Sequence, residues 1–236
     1  MAILDDFLKP DITPREIDQN LFSVFDAHEQ GAPYDSKAAM YDRLVSSNLY
    51  LNIAWGTSRA TITSFIQDAF ASRQGCILDL AAGTSVDAVD IYATTPRPTI
   101  VIDLSIAMLR KGRERLVQQL GHVPANITFL QANALDLPIK TQCVSTVLCH
   151  GALHLLPSLD NVLTEWNRVL TTDNTVFASS LVKERWFGNQ YLQLLHRAGE
   201  ISQPMPAAQV KRILSEGLHR PVDVKIEGNF AYGRAE

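Results

Sequence analysis

Cysteine is scarce in this chain. Cys76, Cys143 and Cys149 are too few and too widely spaced for a disulfide framework or a zinc site, and two of them fall in strand-like runs. They read as small buried residues of a reducing compartment. No apolar run reaches membrane-spanning length, and no basic segment precedes an apolar one at the start, so a soluble, cytoplasmic protein without a membrane partner is expected. An excess of positive charge is also missing. The formal net charge is −4, which gives no electrostatic reason to expect nucleic acid. The densest basic run, Arg110 to Arg115, lies on a predicted helix and reads as a solvated face. No linker rich in Pro, Gly and Ser divides the 236 residues, and nothing suggests an ordered metal. One domain with an N-terminal helical extension is expected.

What is present is organised around Gly75-Cys-Ile-Leu-Asp-Leu-Ala-Ala-Gly-Thr-Ser85. Ile77, Leu78 and Leu80 form an apolar run too short for a helix, and it stops at Ala81-Ala82-Gly83, where small residues let a backbone pass close to a ligand. The turn lacks two of the three glycines of the dinucleotide fingerprint. A second buried-strand run, Thr99-Ile-Val-Ile-Asp103, ends in a carboxylate about twenty residues further on, the place of the ribose-binding acid in nucleotide-binding βαβ units.

Along the chain, Thr13-Pro14-Arg15-Glu16 has the form of a capping box, and it predicts a helix carrying Ile17, Leu21, Val24 and Phe25 and ending at Gly31-Ala-Pro33. A second helix is predicted over 34–44, with Tyr34 and Tyr41 two turns apart, and a third over 57–72 with Ile62, Phe65, Ile66, Ala69 and Phe70 inward. Strands and helices then alternate. A helix is expected over 86–94, and another capped by Ser105, with Leu109, Leu116 and Leu120 inward, ends at Gly121. Strands are expected over 127–130, 144–149 and 175–181, with a Ser158-capped helix before the last. Such alternation means a parallel sheet with ligands at the strands' carboxyl ends. A helix over 207–216 and a closing hairpin, 222–226 with 229–234, put one antiparallel strand at the edge.

These segments resemble the class I S-adenosylmethionine-dependent methyltransferases, in particular the small-molecule branch of ubiquinone and menaquinone C-methyltransferases (methyltransferase type 11). Residues 77–85 look like the first motif, Val101 to Ser105 like the second-strand motif, Gln131 to Pro138 like the segment after strand three, and Val147 to Leu156 like the fourth-strand motif. Glu216-Gly-Leu218 with the hairpin resembles the family's ending. The resemblance implies an α/β, doubly wound, mostly parallel seven-stranded Rossmann-like sheet with an antiparallel last strand. Residues 1–73 would be the helical extension and 74–236 the cofactor-binding core, with a lid insert at about 183–203.

It also implies site roles. Asp103 would accept from ribose hydroxyls, Ala81, Ala82 and Gly83 would pass under the methionine part, and Asp79 would help hold its ammonium group. Leu104 would lie against adenine, with Asn133 and Ala134 at the adenine edge and Tyr34 and Cys149 completing the surroundings. The cofactor would be S-adenosylmethionine and its product S-adenosylhomocysteine. Asn133 stands where the family usually has Asp, and Ser85 replaces the motif's last glycine.

His150 and His154, just past the fourth strand, are the candidates for catalysis; His150 could be a base or orient the acceptor, while His154 more readily bonds the loop. Tyr41, Trp55, Trp186 and Tyr191 are the acceptor candidates, on aromatic segments that either close over the cleft as a lid or bury against the sheet. The implied partner is a small organic molecule, for a monomer or homodimer. Two alternatives stay open. A nicotinamide-dependent reductase would share the βαβ unit, and Tyr34-Asp-Ser-Lys37 superficially matches a Tyr/Lys pair, though one residue short. A cofactor-binding homologue with altered or no methyl-transfer chemistry is the other.

Overall fold

A computed structural model describes residues 2–26 and 38–236. In chain order the elements are α1 (Ala2–Phe7), β1 (Arg15–Asp18), β2 (Leu21–Ser23), α2 (Ala38–Val45), α3 (Asn48–Tyr50), a π-helical turn Leu51–Trp55, and α4 (Arg59–Ser72). Then come β3 (Ile77–Leu80), α5 (Val89–Tyr92), β4 (Thr99–Asp103), α6 (Ile106–Leu120), β5 (Ile127–Gln131) and β6 (Val144–Cys149). The chain closes with α7 (Leu159–Val169), β7 (Leu170–Leu181), α8 (Trp186–Arg197), α9 (Ala207–Gly217), β8 (Asp223–Glu227) and β9 (Phe230–Ala235).

Among the described residues the strands make one nine-stranded sheet in the order β1-β2-β5-β4-β3-β6-β7-β9-β8. Strands β2 to β7 run parallel, and β9 is antiparallel to β7, as the closing hairpin requires. The sheet's central strands are buried on both faces, which is why they read as continuous apolar runs rather than as alternation. Leu78, Leu80, Ile102, Val147 and Val176 pack with Val162, Trp166 and Leu214 on one side. Ile77, Val101, Phe129, Leu148 and Phe177 pack with Ile62, Ile66, Leu109 and Leu116 on the other.

The seven expected strands are present with two more, and the extra pair corrects the sequence reading. The helix expected from Thr13 is a hairpin of β1 and β2, turning at Gln19-Asn20 with Asn20 in the left-handed region at φ 59°. Asn tolerates that conformation because its short polar side chain can bond locally. Leu21 and Phe22 are adjacent yet fully buried, one in each core. A strand added to β5 buries both, since neighbours point to opposite faces, whereas a surface helix buries one stripe only. The extension is therefore not wholly helical. The helix expected over 86–94 is short, because Ser85 at φ 53° starts a series of tight turns that reach helical geometry only at Val89. Leu120, expected inward, is 36% exposed at the last position of α6. Ser105 caps that helix as expected, accepting from Met108 N–H at 3.2 Å, and Gly121 ends it at φ 79°.

Two further devices position the cleft. Glu227 accepts from Thr57, Ser58 N–H and Thr61, pinning the start of α4 to the closing hairpin. The hairpin turn lies so close to the π-helical turn that a Cβ on Gly228 would sit 2.0 Å from the Trp55 carbonyl oxygen, and Asn229 N–H donates to that oxygen at 2.7 Å.

Candidate functional site

The carboxyl ends of β3, β4, β5 and β6 meet along one edge. The chain leaving β3 bends through three residues at positive φ, Ala81 at 52°, Gly83 at 55° and Ser85 at 53°. Two of these are not glycine, a conformation that costs on the order of 1–2 kcal/mol each and concentrates at functional turns. The bend is held from the next strand. Gly83 N–H donates to Asp103 Oδ2 at 2.8 Å, Ser105 N–H to Oδ1 at 2.8 Å, and Ala82 N–H to the Ile102 carbonyl at 3.1 Å. Among the described residues a Cβ built on Gly83 would meet nothing within 4 Å, so none of them covers the turn on that side. Beside it Leu104 is 44% exposed, an apolar side chain at the mouth.

The missing motif glycine is compensated elsewhere. Ser85 points at Gly112 of α6, where an added Cβ would lie 2.9 Å from Ser85 Oγ and 3.2 Å from Phe129. The helix supplies the space that the turn does not.

Asp79 lies under the turn, buried, and accepts a hydrogen bond from the Tyr92 hydroxyl. Burial pushes its carboxyl up to about 7; the Tyr92 bond opposes this, and the charge of Asp103 adds to it. Cys149, facing the other core, is buried, and its thiol is raised by burial and by the same two carboxylates. Asn133 Oδ1 accepts from Leu135 N–H at 3.0 Å, closing a local turn, and Ala134 is part-exposed next to it. The two histidines separate. His154 is buried, its Nδ1 accepting from Leu181 N–H at 3.2 Å, and burial with neighbouring His150 lowers it to about 3. His150 is half-buried at the end of β6, lowered to about 4 by burial and by Arg59.

Of the acceptor candidates, Trp55 and Tyr191 are brought together, their rings stacked at 5.1 Å, and Tyr191 Oη is 3.1 Å from Tyr50 Oη. Trp186 stands apart, 76% exposed, with Phe187 57% exposed. Between the π-helical turn and α8 lies a cleft of about 290 Å³ lined by Ile53, Trp55, Arg185, Phe187 and Asn229. Tyr34 and Lys37 lie outside the described residues, as does the side chain of Tyr41. Among the described residues no group of three or more His, Cys, Asp or Glu could hold a metal ion.

Sequence reasoning missed several supports. Arg59, at the start of α4, pairs with Asp87 and donates to Asn48 Oδ1 at 2.8 Å and the Val45 carbonyl at 2.6 Å. Arg115 pairs with Asp42 at 2.5 Å and donates to the Thr84 carbonyl at 3.2 Å. The two arginines thus join α2 and α3 to the turn. Gln131 accepts from Ser23 Oγ at 2.8 Å and donates to the Leu104 carbonyl at 3.0 Å, fixing the loop that carries Leu104. Ser179, which holds His150, was signalled only as a polar residue inside an apolar strand.

Residues 77–173 match the family model of a methyltransferase domain. That stretch is similar to methyltransferase domains. The similarity extends to curated relatives. The chain is 30% identical over 142 residues to the ubiquinone/menaquinone biosynthesis C-methyltransferase of Syntrophotalea carbinolica, 58% of each chain. It is 29% identical over 173 residues to the enzyme of the same name from Xylella fastidiosa strain 9a5c, 70% of this chain and 67% of that one. The matched region thus spans somewhat over half to two thirds of these relatives' length. Solved structures share the fold. A Haemonchus contortus phosphoethanolamine N-methyltransferase 2, in complex with phosphomonomethylethanolamine and S-adenosylhomocysteine, superposes with TM-score 0.62 at 15% identity, over 81% of this chain and 43% of that one. An Aquifex aeolicus methyltransferase gives 0.57 at 16% identity, over 85% and 97%.

Proposed function

We propose that the protein transfers a methyl group from S-adenosylmethionine to a small organic acceptor. The observation that carries this reading is the pairing of Asp103 with the turn at Gly83: a carboxylate at a strand end beside a backbone that no described residue covers. Exposed Leu104 adds an apolar face suited to a flat base. These residues fit the cofactor, with Asp103 toward the ribose, Leu104 toward adenine, Asn133 and Ala134 at its edge, and Ala81 to Gly83 with Asp79 toward the methionine end. Bound S-adenosylmethionine would supply an electrophilic methyl carbon on a sulfonium, with a neutral thioether as the leaving group that keeps the bonding pair.

The chain's own task is alignment and exclusion of water. The N-terminal helices, tied to the turn by Arg59 and Arg115, and α8, tied to Trp55 through Tyr191, form the two sides from which an acceptor would be enclosed. Asn229 links them, its N–H donating to the Trp55 carbonyl at 2.7 Å and its side-chain amide to Asn189 Oδ1 at 3.0 Å. We read this rim as the acceptor-facing part and its aromatic composition as suited to a small apolar molecule.

Titration calorimetry with S-adenosylmethionine and, separately, a nicotinamide dinucleotide tests the cofactor. Binding of the dinucleotide alone would overturn the reading. Labelled cofactor incubated with amine, hydroxyl, thiol and carbon acceptors tests the transfer. If Trp186→Ala and Tyr41→Phe both leave acceptor affinity unchanged, the lid assignment fails.

A further inference from the structure

The imidazole of His150 lies against a cluster of three rings: Phe230 at 5.8 Å, Tyr232 at 6.5 Å, both nearly parallel to it, and Phe65 at 6.3 Å. Its Nδ1 lies 2.8 Å from Ser179 Oγ. Ser179 is fully buried, and the same oxygen accepts from Gly151 N–H at 2.8 Å. A hydroxyl carries one proton, and a buried one needs an acceptor for it. Among the described residues the partners of Ser179 Oγ are an amide that can only donate and a ring nitrogen. The hydroxyl proton therefore goes to Nδ1, and the ring's own proton is on Nε2. Nε2 has no hydrogen-bond partner among the described residues, and the half-buried residue stands where β6 opens onto the cleft.

The surroundings keep the ring neutral. Arg59 comes from α4, Tyr232 from β9 is engaged with Thr57 at 2.7 Å, and His154 follows in the chain with its own ring neutral. None of them is a carboxylate that would favour an imidazolium.

We propose that His150 is a neutral hydrogen-bond donor to an oxygen of the methyl acceptor, with its tautomer set by Ser179, and is not the base that removes the acceptor's proton. This rests on the methyl-transfer reading above. It narrows the acceptor to a compound with a carbonyl, phenolate or enolate oxygen at or next to the attacking atom. The attacking lone pair forms the new bond to the methyl carbon while the Nε2–H bond stays intact. Any proton the acceptor must lose goes to water. Ser179 is then a positioning residue.

Long-range proton–nitrogen NMR on cofactor-free protein labelled at histidine tests the tautomer, with His150→Gln giving the assignment. The expected result is a single Nε2–H form that stays neutral down to about pH 6, and a mixture of tautomers in Ser179→Ala. A dominant Nδ1–H form, or an imidazolium near neutrality, overturns the proposal. Because no cofactor is present, that failure is distinct from failure of the methyltransferase reading, which the calorimetry decides. The acceptor class is tested with 4-nitrophenolate in the presence of S-adenosylhomocysteine. Wild type and His150→Gln, which keeps an N–H donor at that place, should bind it about tenfold tighter than His150→Ala. Equal binding by all three, or none by any, overturns it.

Discussion

Replacing Asp79 by Asn should make the protein's stability depend on pH in a way that isolates one buried carboxyl. In the folded chain burial raises this group from 3.8 to about 7. Below about pH 4 both folded and unfolded chains hold the proton, and the group's contribution is fully present. As pH rises to about 7 the unfolded chain ionises while the folded chain does not, so stability is lost across that window. Three pH units correspond to on the order of 4 kcal/mol. His150 and His154 act in the opposite sense. Lowered from 6.5 to about 4 and about 3, they contribute fully above 6.5 and lose that contribution as pH falls. Wild type alone would show these slopes partly cancelling, so the informative quantity is the difference between Asp79→Asn and wild type. Asn still accepts the Tyr92 hydroxyl and cannot ionise. Urea melts from pH 4 to 7.5 should show that difference growing by several kcal/mol in favour of the variant. Curves that stay parallel would refute the reasoning. A cationic cofactor should draw the proton off wild type but not the variant, giving heats at pH 6 that depend on the buffer's ionisation.

Three other outcomes follow from the same geometry. Gly112→Ala should cost about 1–3 kcal/mol by overpacking against Ser85, less the helix gain of up to about 1 kcal/mol, and the cost should shrink by about 1 kcal/mol or more in a Ser85→Gly background; an additive double-mutant cycle would contradict the compensation. Asp103→Asn should weaken S-adenosylmethionine binding by at least about tenfold in calorimetry, and unchanged affinity would remove Asp103 from the pocket. Trp186→Ala, at an exposed position, should change stability by no more than about 0.5 kcal/mol while raising the acceptor's KM and leaving cofactor affinity alone.

The sheet was legible where burial on both faces leaves an uninterrupted apolar run. Ile77 to Leu80, Thr99 to Asp103 and Val144 to Cys149 needed no more than that, and the turn chemistry around Gly228 announced the closing hairpin. Residues 13–25 misled because Leu21 and Val24 fit a helical stripe, while the decisive signal, an Asn able to take a left-handed turn at position 20, is one residue deep. The site divides in the same manner. Asp103 and Gly83 were readable because their spacing is set by a βαβ unit. Ser179, Gln131, Arg59 and Arg115 were not, because each acts through a partner more than ten residues away that only the folded sheet brings near. Gly112 is of the same kind: a helix glycine has meaning only once Ser85 is seen beneath it.

The link from Ser23 through Gln131 to Leu104 joins residues made far apart in time. Ser23 and Gln131 are 108 positions apart, an interval of roughly 5–20 s at cellular rates of synthesis. Until then Leu21 and Phe22 have β1 beside them but neither β5 nor the cores on the two sheet faces, and a nascent chain must shelter them by other means, such as a chaperone. The wall of the cleft that carries Leu104 can assemble only after that wait, whatever has already folded upstream.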